Sequence, residues 1–445
     1  MTREIYVFGD WQELGGSNLG GPQLMGLLRA EIVHGKETFS FEYDPQWLSG
    51  ANAMLLDPEL QFFPGPQYSS DNDRSNFGMF LDSSPDRWGQ LLMRRREASE
   101  ARVAGRRTKS LVGSDFLLGV HDEQRMGGLR FKTELDGEFL SDEKGPDGQR
   151  RGAPPWARLR ELENAAWRFQ KDEGQTGEGQ TSERLGNEDD ATQWLRLLMA
   201  PGSSIGGARP KAGVRDEEQN LWIAKFPGRN DHFDVGGWEL VTHRLARDAG
   251  LDVAEATAEK FGRPHHTFMV KRFDRVVENG ERKRRHFASA MTMLGYSDGT
   301  SFKDGASYLE IVEFLIRHGA ATESDMHELW RRIVFSICVS NTDDHLRNHG
   351  FLLLPDGWKL SPAYDINPDP TGTGLSLNVS DVDNSLNLEL ALEVAVYFRL
   401  DNSEAGSIMN AIKQTVVRWP DIADQVGIPR GEQEMMRPAF RAVEG

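Results

Sequence analysis

Asp343 and Asn348 stand five residues apart in SNTDDHLRNHGFLLLPDGWKLSPAYD, the stretch from Ser340 to Asp365, and their types and spacing suit phosphoryl transfer. That chemistry needs a carboxylate to orient the attacking hydroxyl and accept its proton, and hard oxygen ligands for a Mg²⁺ bridging the phosphates. Asp343 suits the first role. Asn348 and Asp365 suit the second, because an amide oxygen can ligate without adding negative charge beside an anionic nucleotide. Asp365 joins the other two only if the chain turns back. Gly350 to Leu354 is an apolar run, Pro355-Asp356-Gly357 is strong turn chemistry and Trp358 to Ser361 reads as a second short strand, so a hairpin is predicted. His345 is a candidate to touch a phosphate or to orient Asp343. The same residue types are common in turns, bonded to nearby backbone. His345 and His349, four apart, would share a helical face as in zinc sites, but no H-E-x-x-H accompanies them and Gly350 argues against a helix.

The flanking elements must hold these groups. Ser307 with Glu310 makes a capping box ahead of Leu309, Val312, Leu315 and Ile316, with Gly319 as the stop. Thr322 with Asp325 is expected to begin a second helix whose Met326, Leu329, Trp330, Ile333, Val334 and Ile337 face inward and which delivers the chain to Asp343. Upstream, PGSSIGGARPKAGV (Pro201 to Val214) offers Gly206 and Gly207 for backbone approach to a phosphate, flanked by Ile205 and Ala208, with Arg209 and Lys211 adding positive charge. A plain flexible hairpin loop reads the same way. In the strand Leu221 to Phe226, alternation sets Lys225 on the face of Leu221 and Ile223, its amine aimed into a cleft. Trp238 to Ala249 reads as an amphipathic helix in which Glu239 is a candidate partner for a lysine. Thr267 to Phe273 reads as a strand running into a connector, where Lys271 and Phe273 would meet an adenine.

The first part of the chain reads as a small mixed domain. Ile5 to Phe8 is a strand, and Phe39, Phe41 and Tyr43 form one face of another. Ser84 or Pro85 is expected to open a helix through Leu91 and Leu92. Asp136 to Asp190, rich in Gly, Glu, Asp, Gln and Arg, reads as an exposed insertion with a helical island around Trp156 to Phe169.

Composition narrows the class. At 445 residues the chain exceeds one ordinary core. The lone Cys338 excludes an internal disulfide, and a reducing cytoplasm is the expected setting. MTREIYVFGD is too polar for a signal peptide, and no run reaches membrane-spanning length. A formal net charge of -17 opposes non-specific attraction to a phosphate backbone. Two basic runs, Arg94 to Lys109 and Arg282 to Arg285, read as solvated faces that could still touch DNA within a larger assembly.

Seven pieces in order resemble the HipA toxins, bacterial serine/threonine kinases of toxin-antitoxin systems: FEYDPQWL (41 to 48), Asp82-Ser83 with SPDRWGQLL (together 82 to 92), SIGGARPKA (204 to 212), WIAKFP (222 to 227), MVKRFDR (269 to 275), NTDDHLRN (341 to 348) and LSPAYD (360 to 365). The resemblance implies an α+β, bilobal protein-kinase-like fold with a mixed α/β N-terminal lobe and a mainly α-helical C-terminal lobe. The division expected is an N-terminal subdomain over 1–130, a charged insertion and linker over 131–200, an ATP-binding part over 201–273 and a helical lobe over 274–445. It implies ATP and Mg²⁺, with Asp343 as catalytic base, Asn348 and Asp365 as metal ligands and Lys225 as the phosphate-contacting lysine. Ser204 falls where the family carries its inhibitory autophosphorylation serine, and Ser203 is an equally placed hydroxyl. A small helix-turn-helix antitoxin, operator DNA reached through it, and a protein substrate such as an aminoacyl-tRNA synthetase are the implied partners. A small-molecule kinase and a non-catalytic, antitoxin-binding corepressor are the alternatives. The Asp136 to Asp190 stretch departs from the family pattern.

Overall fold

The computed structural model describes residues 2–11, 21–50, 54–69, 76–140, 152–173, 209–278 and 281–444. The class is α+β, as the sequence implies, and the chain divides into two compact units. One comprises Met1–Asn230 with Asp274–Ala288, the other Asp231–Phe273 with Ser289–Gly445.

The first unit is built on an antiparallel sheet ordered Gln67–Tyr68, Lys36–Tyr43, Gln23–Val33, Arg3–Gly9 and Leu129–Lys132. Phe39, Phe41 and Tyr43 are buried in it, as their alternation requires. The helix Arg87–Val103 begins two or three residues later than the sequence suggests. Asp86 is its N-cap and accepts from the Gly89 N–H at 2.7 Å. The other oxygen of Asp86 lies 2.8 Å from Lys211 Nζ, both side chains almost wholly buried, and Trp88 Nε1 donates to the Lys211 carbonyl at 3.0 Å. One short motif therefore starts a helix and fastens it to the strand Lys211–Arg215.

That strand pairs antiparallel with Leu221–Lys225, Lys211 opposite Lys225. The helical island predicted near Trp156 is the helix Leu159–Glu173, but it is not an exposed insertion. Leu159, Leu162, Ala165 and Ala166 are buried, Phe169 packs edge-on to Trp88 at 5.2 Å, Trp156 meets Trp222 at the same distance, and Pro155 bridges Arg215. Its apolar residues recur at helical spacing among many charges, so composition hid a core face.

The basic runs are also tied down within this unit. Arg130 holds Asp122 through Nε and a terminal nitrogen and reaches Asp10 at 3.0 Å. Arg284 donates to the same Asp122 at 2.8 Å, and Arg282 pairs with Glu123. Arg106 takes Glu97 and Lys109 takes Asp115. Burial works against the Asp122 charge, but Arg284 and Arg130 outweigh it and hold the carboxyl at about 2.

In the second unit the helix Val235–Asp248 is capped by Asp234. Tyr308–His318 carries the expected Ser307/Glu310 capping box and ends at Gly319. Thr322–Val339 follows, and all six of its predicted inward residues are buried. Its start differs from the expectation: Ala321 is the N-cap without a side-chain bond, Thr322 Oγ1 donates back to the Leu315 carbonyl at 3.0 Å, and Asp325 serves another strand. The predicted hairpin forms from Gly350–Leu354 and Gly357–Leu360. Gly357 has φ +137°, and a Cβ there would meet the His318 carbonyl at 2.5 Å, so the turn depends on glycine. Among the described residues no helix is long and apolar enough to cross a membrane.

If Leu159–Glu173 is core, Leu162→Ala should cost about 2–5 kcal/mol in urea denaturation. A helix lying on the surface would lose no more than about 0.5 kcal/mol.

Candidate active site

Asp343 follows a helix end that the sequence sharpens with one strained residue. Ser340 takes the left-handed conformation, φ 48°, and its Oγ donates to the Ala439 carbonyl at 2.7 Å. The chain then turns tightly: the His345 N–H donates to the Asp343 carbonyl at 3.0 Å and the Asn348 N–H to the His345 carbonyl at 2.8 Å. Asn348 Nδ2 donates to the same Asp343 carbonyl at 2.9 Å. The predicted pair is therefore joined directly. Holding the amide by its nitrogen sets its oxygen apart from that bond, and this oxygen accepts from no described residue.

The hairpin does bring Asp365 back. Asp325 accepts from the Leu360 N–H at 2.8 Å, Arg332 donates to the Ser361 carbonyl at 2.7 Å, and the Ala363 N–H donates to the Asp252 carbonyl at 2.7 Å. Tyr364 OH then reaches the Arg347 carbonyl inside the Asp343–Asn348 turn at 2.7 Å, and Thr242 Oγ1 takes the Ile366 carbonyl at 2.7 Å. Between these grips Asp365 adopts φ +60°, a left-handed geometry that Asp tolerates better than most residues. Asn367 Nδ2 donates to its Oδ1 at 3.2 Å.

Four carboxylates crowd this region, and the protein bonds two of them closely. Asp344, buried, accepts from Tyr308 OH at 2.6 Å and lies 3.1 Å from His349 Nε2. Burial alone would raise its pKa, but His349 and Tyr308 hold it below the ordinary carboxylate value. Asp369 accepts from Thr342 Oγ1 and from the Thr371 hydroxyl, each at 2.7 Å, and these bonds outweigh its partial burial to lower it as well. Asp343 behaves oppositely. It is an exposed residue, yet partial burial raises its pKa, opposed by His345 and reinforced by the charges of Asp365, Asp344 and Asp369. A carboxylate whose proton affinity is raised is suited to accept a proton. The Nδ1 of His345 is buried without a hydrogen-bond partner among the described residues.

The remaining expected site residues are placed as follows. Phe273 packs against Tyr364, ring centroids 5.6 Å apart. Lys271 lies 3.6 Å from Glu255 and donates its N–H to the Glu255 carbonyl. Arg209 Nε donates to the Phe226 carbonyl at 3.0 Å. Lys211 directs its ammonium at Asp86 and is a strand residue, not part of a loop. Lys225 and Glu239 are each buried. Ser203, Ser204, Ile205, Gly206, Gly207 and Ala208 lie outside the described residues.

Among the described residues no group of three or more His, Cys, Asp or Glu is placed to hold a metal ion. Asn348 with Asp365 supplies two hard oxygen donors and a single charge. That fits Mg²⁺, which binds through one or two carboxylates plus water and phosphate oxygens and seldom in an all-protein cage.

Sequence reasoning missed the roles of Asp344, Tyr308, His349, Asp325, Arg332 and the Thr342–Asp369 bond. Tyr308, Asp325, Arg332 and Thr342 act across long separations; only Asp344 and His349, five residues apart, lie near enough in the chain to carry a local signal.

Residues 203–419 match the family model of the HipA-like C-terminal domain. Among curated relatives, a "Putative kinase" of Haemophilus influenzae is 29% identical over 179 residues, 37% of this chain and 52% of the relative. The "Serine/threonine-protein kinase toxin HipA" of Shewanella oneidensis is 27% identical over 207 residues, 40% of this chain and 46% of the relative. The chain thus spans about half the length of these curated relatives. A solved Shewanella oneidensis complex of HipA, HipB and operator DNA aligns with a TM-score of 0.61 at 18% identity, covering 99% of this chain and 95% of that one, a likeness of fold.

Asp325 supports a pH prediction. Burial, against the Leu360 N–H, Lys359 and Arg332, pushes its carboxyl up to about 6 from the ordinary 3.8. The folded chain therefore binds this proton more tightly than the unfolded chain. The stability it adds is complete below the ordinary value and lost as pH rises through about 6. Asp325→Asn should accordingly gain in Tm relative to wild type between pH ~4 and ~7, followed by thermal melts across that range. A constant difference would contradict the assignment.

Proposed function

We propose that the chain, whose residues 203–419 match the HipA-like C-terminal domain, is a HipA-family, ATP- and Mg²⁺-dependent protein-serine/threonine kinase acting as the toxin of a toxin-antitoxin system. The observation that carries this reading is the geometry of the acidic turn. Asn348 is bonded to the Asp343 backbone, and Asp365 returns close enough for its charge to raise the proton affinity of Asp343.

In the proposed reaction Asp343 orients the substrate hydroxyl and accepts its proton. The hydroxyl oxygen forms a bond to the γ-phosphorus while the bond to the β–γ bridging oxygen breaks, and ADP leaves with that electron pair. Asn348 and Asp365 would hold Mg²⁺, which neutralises phosphate charge when bound. Asp343 is exposed, which suits a protein hydroxyl as the acceptor. Lys225, with Ile205 to Arg209, is assigned to the phosphates, Phe273 and the Lys271 backbone to adenine, and His345 to a phosphate or to Asp343. Lys211, paired with Asp86, is assigned to holding the strand that leads from the phosphate loop.

Ser204, or Ser203 beside it, is the proposed autophosphorylation site. Adding about -1.5 to -2 charge to a loop meant for phosphates would oppose ATP binding. The proposed partner is a small helix-turn-helix antitoxin, with operator DNA reached through it in the cytoplasm. A protein such as an aminoacyl-tRNA synthetase is the proposed substrate.

Purified protein with Mg²⁺ and γ-labelled ATP should transfer phosphate to protein, with Ser204 or Ser203 labelled by mass spectrometry. Asp343→Ala should lower the rate at least ~10²-fold with the fold intact. Label appearing only on a metabolite would replace the protein kinase with a small-molecule kinase. Antitoxin binding without any transfer or ATP binding would make the chain a corepressor.

A further inference from the structure

The acidic pair in the turn contains a second carboxylate that the proposed chemistry does not use. Asp344 is buried, and its three neighbours come from three elements. Tyr308 is the first residue of Tyr308–His318 and donates its OH at 2.6 Å. Ser336, in the last turn of Thr322–Val339, places its Oγ at 3.4 Å. His349, which follows Asn348 and leads into the strand Gly350–Leu354, stands 3.1 Å away. Tyr308 meets the His349 ring edge-on at 5.5 Å, and the His349 carbonyl accepts from the Ala290 N–H at 2.8 Å. Tyr308, Ser336 and His349 are all buried.

These contacts pin the turn at both ends. Asp343 precedes one pinned residue and Asn348 precedes the other, so the distance from base to amide ligand follows from where Asp344 and His349 are held. We propose that Asp344 is a positioning residue: its carboxylate, gripped by Tyr308 and His349, fixes the spacing between Asp343 and Asn348. This deepens the kinase reading and rests on it. Asp344 touches no reacting atom. Its contribution is to keep the loop from sampling spacings in which the base and the metal ligand no longer serve one substrate.

The test uses full-length protein with Asp344→Asn, Tyr308→Phe and the double variant. Asp344→Asn keeps the shape of the side chain and removes the charge, while Tyr308→Phe removes one grip without altering the turn. Each should reduce kcat, Asp344→Asn by at least ~10-fold, with the KM for ATP changing less than about threefold, the split expected when transition-state geometry alone is lost. The double variant should lose little more than Asp344→Asn alone, because both changes break one interaction. Hydrogen exchange gives a readout independent of activity. The His345 and Asn348 amides should exchange at least ~10-fold faster in Asp344→Asn, with those of Thr322–Val339 unchanged. Wild-type kcat in both single variants, additive losses, or a fall in kcat matched by the unfolded fraction would overturn the role. If wild-type protein transfers no phosphate, the kinase reading fails and the catalytic role with it. Unchanged exchange would refute the clamp in either case.

Discussion

Like-charge repulsion is the constraint around which the second unit is organised. Asp344, Asp365 and Asp369 each act electrostatically on Asp343, and leaving all four unbonded would set the turn and the hairpin exit pushing apart. The fold answers by dividing them. Asp344 is given to Tyr308 and His349, and Asp369 to Thr342 and Thr371. Partial burial, reinforced by the neighbouring carboxylates, raises the proton affinity of Asp343, and the pair assigned to chemistry is thereby distinguished from the pair assigned to structure.

The same economy governs the first unit. Its arginine-rich runs look like surfaces for an acidic partner, but Arg130 and Arg284 share Asp122, Arg282 takes Glu123 and Arg106 takes Glu97. The buried pairs of Arg130 and Arg284 with Asp122 contribute little net stability against an apolar alternative, yet breaking one is costly because it strands a charge. Asp86 illustrates the structural use. It caps one helix with one oxygen and holds Lys211 with the other, which makes a surface-type motif into a joint between a helix and a strand.

What the sequence disclosed is what local spacing encodes. The hairpin, the Ser307 cap, the inward stripe of Thr322–Val339 and the Asp343–Asn348 pairing all lie within a few residues of their own signals. Two local readings failed for definite reasons. Asp325 sits at capping distance from Thr322, but the Leu360 N–H needed an acceptor and took it. Leu159–Glu173 is so rich in charge that its mean composition concealed a buried face. Grips such as Tyr308 on Asp344 or Arg332 on Ser361, 36 and 29 residues apart, leave no periodic trace. They are consequences of folding and became legible only with the fold.

The central claim is that Asn348 and Asp365 present Mg²⁺-bound nucleotide to Asp343, and calorimetric titration with ATP in the presence and absence of Mg²⁺ tests it most directly. Asp365→Asn keeps a side chain tolerant of the left-handed backbone and removes only the charge. The account predicts that wild type binds the magnesium complex more tightly than free ATP and that the variant loses at least ~10-fold of that preference while binding free ATP as before. An unchanged magnesium dependence in the variant would contradict it.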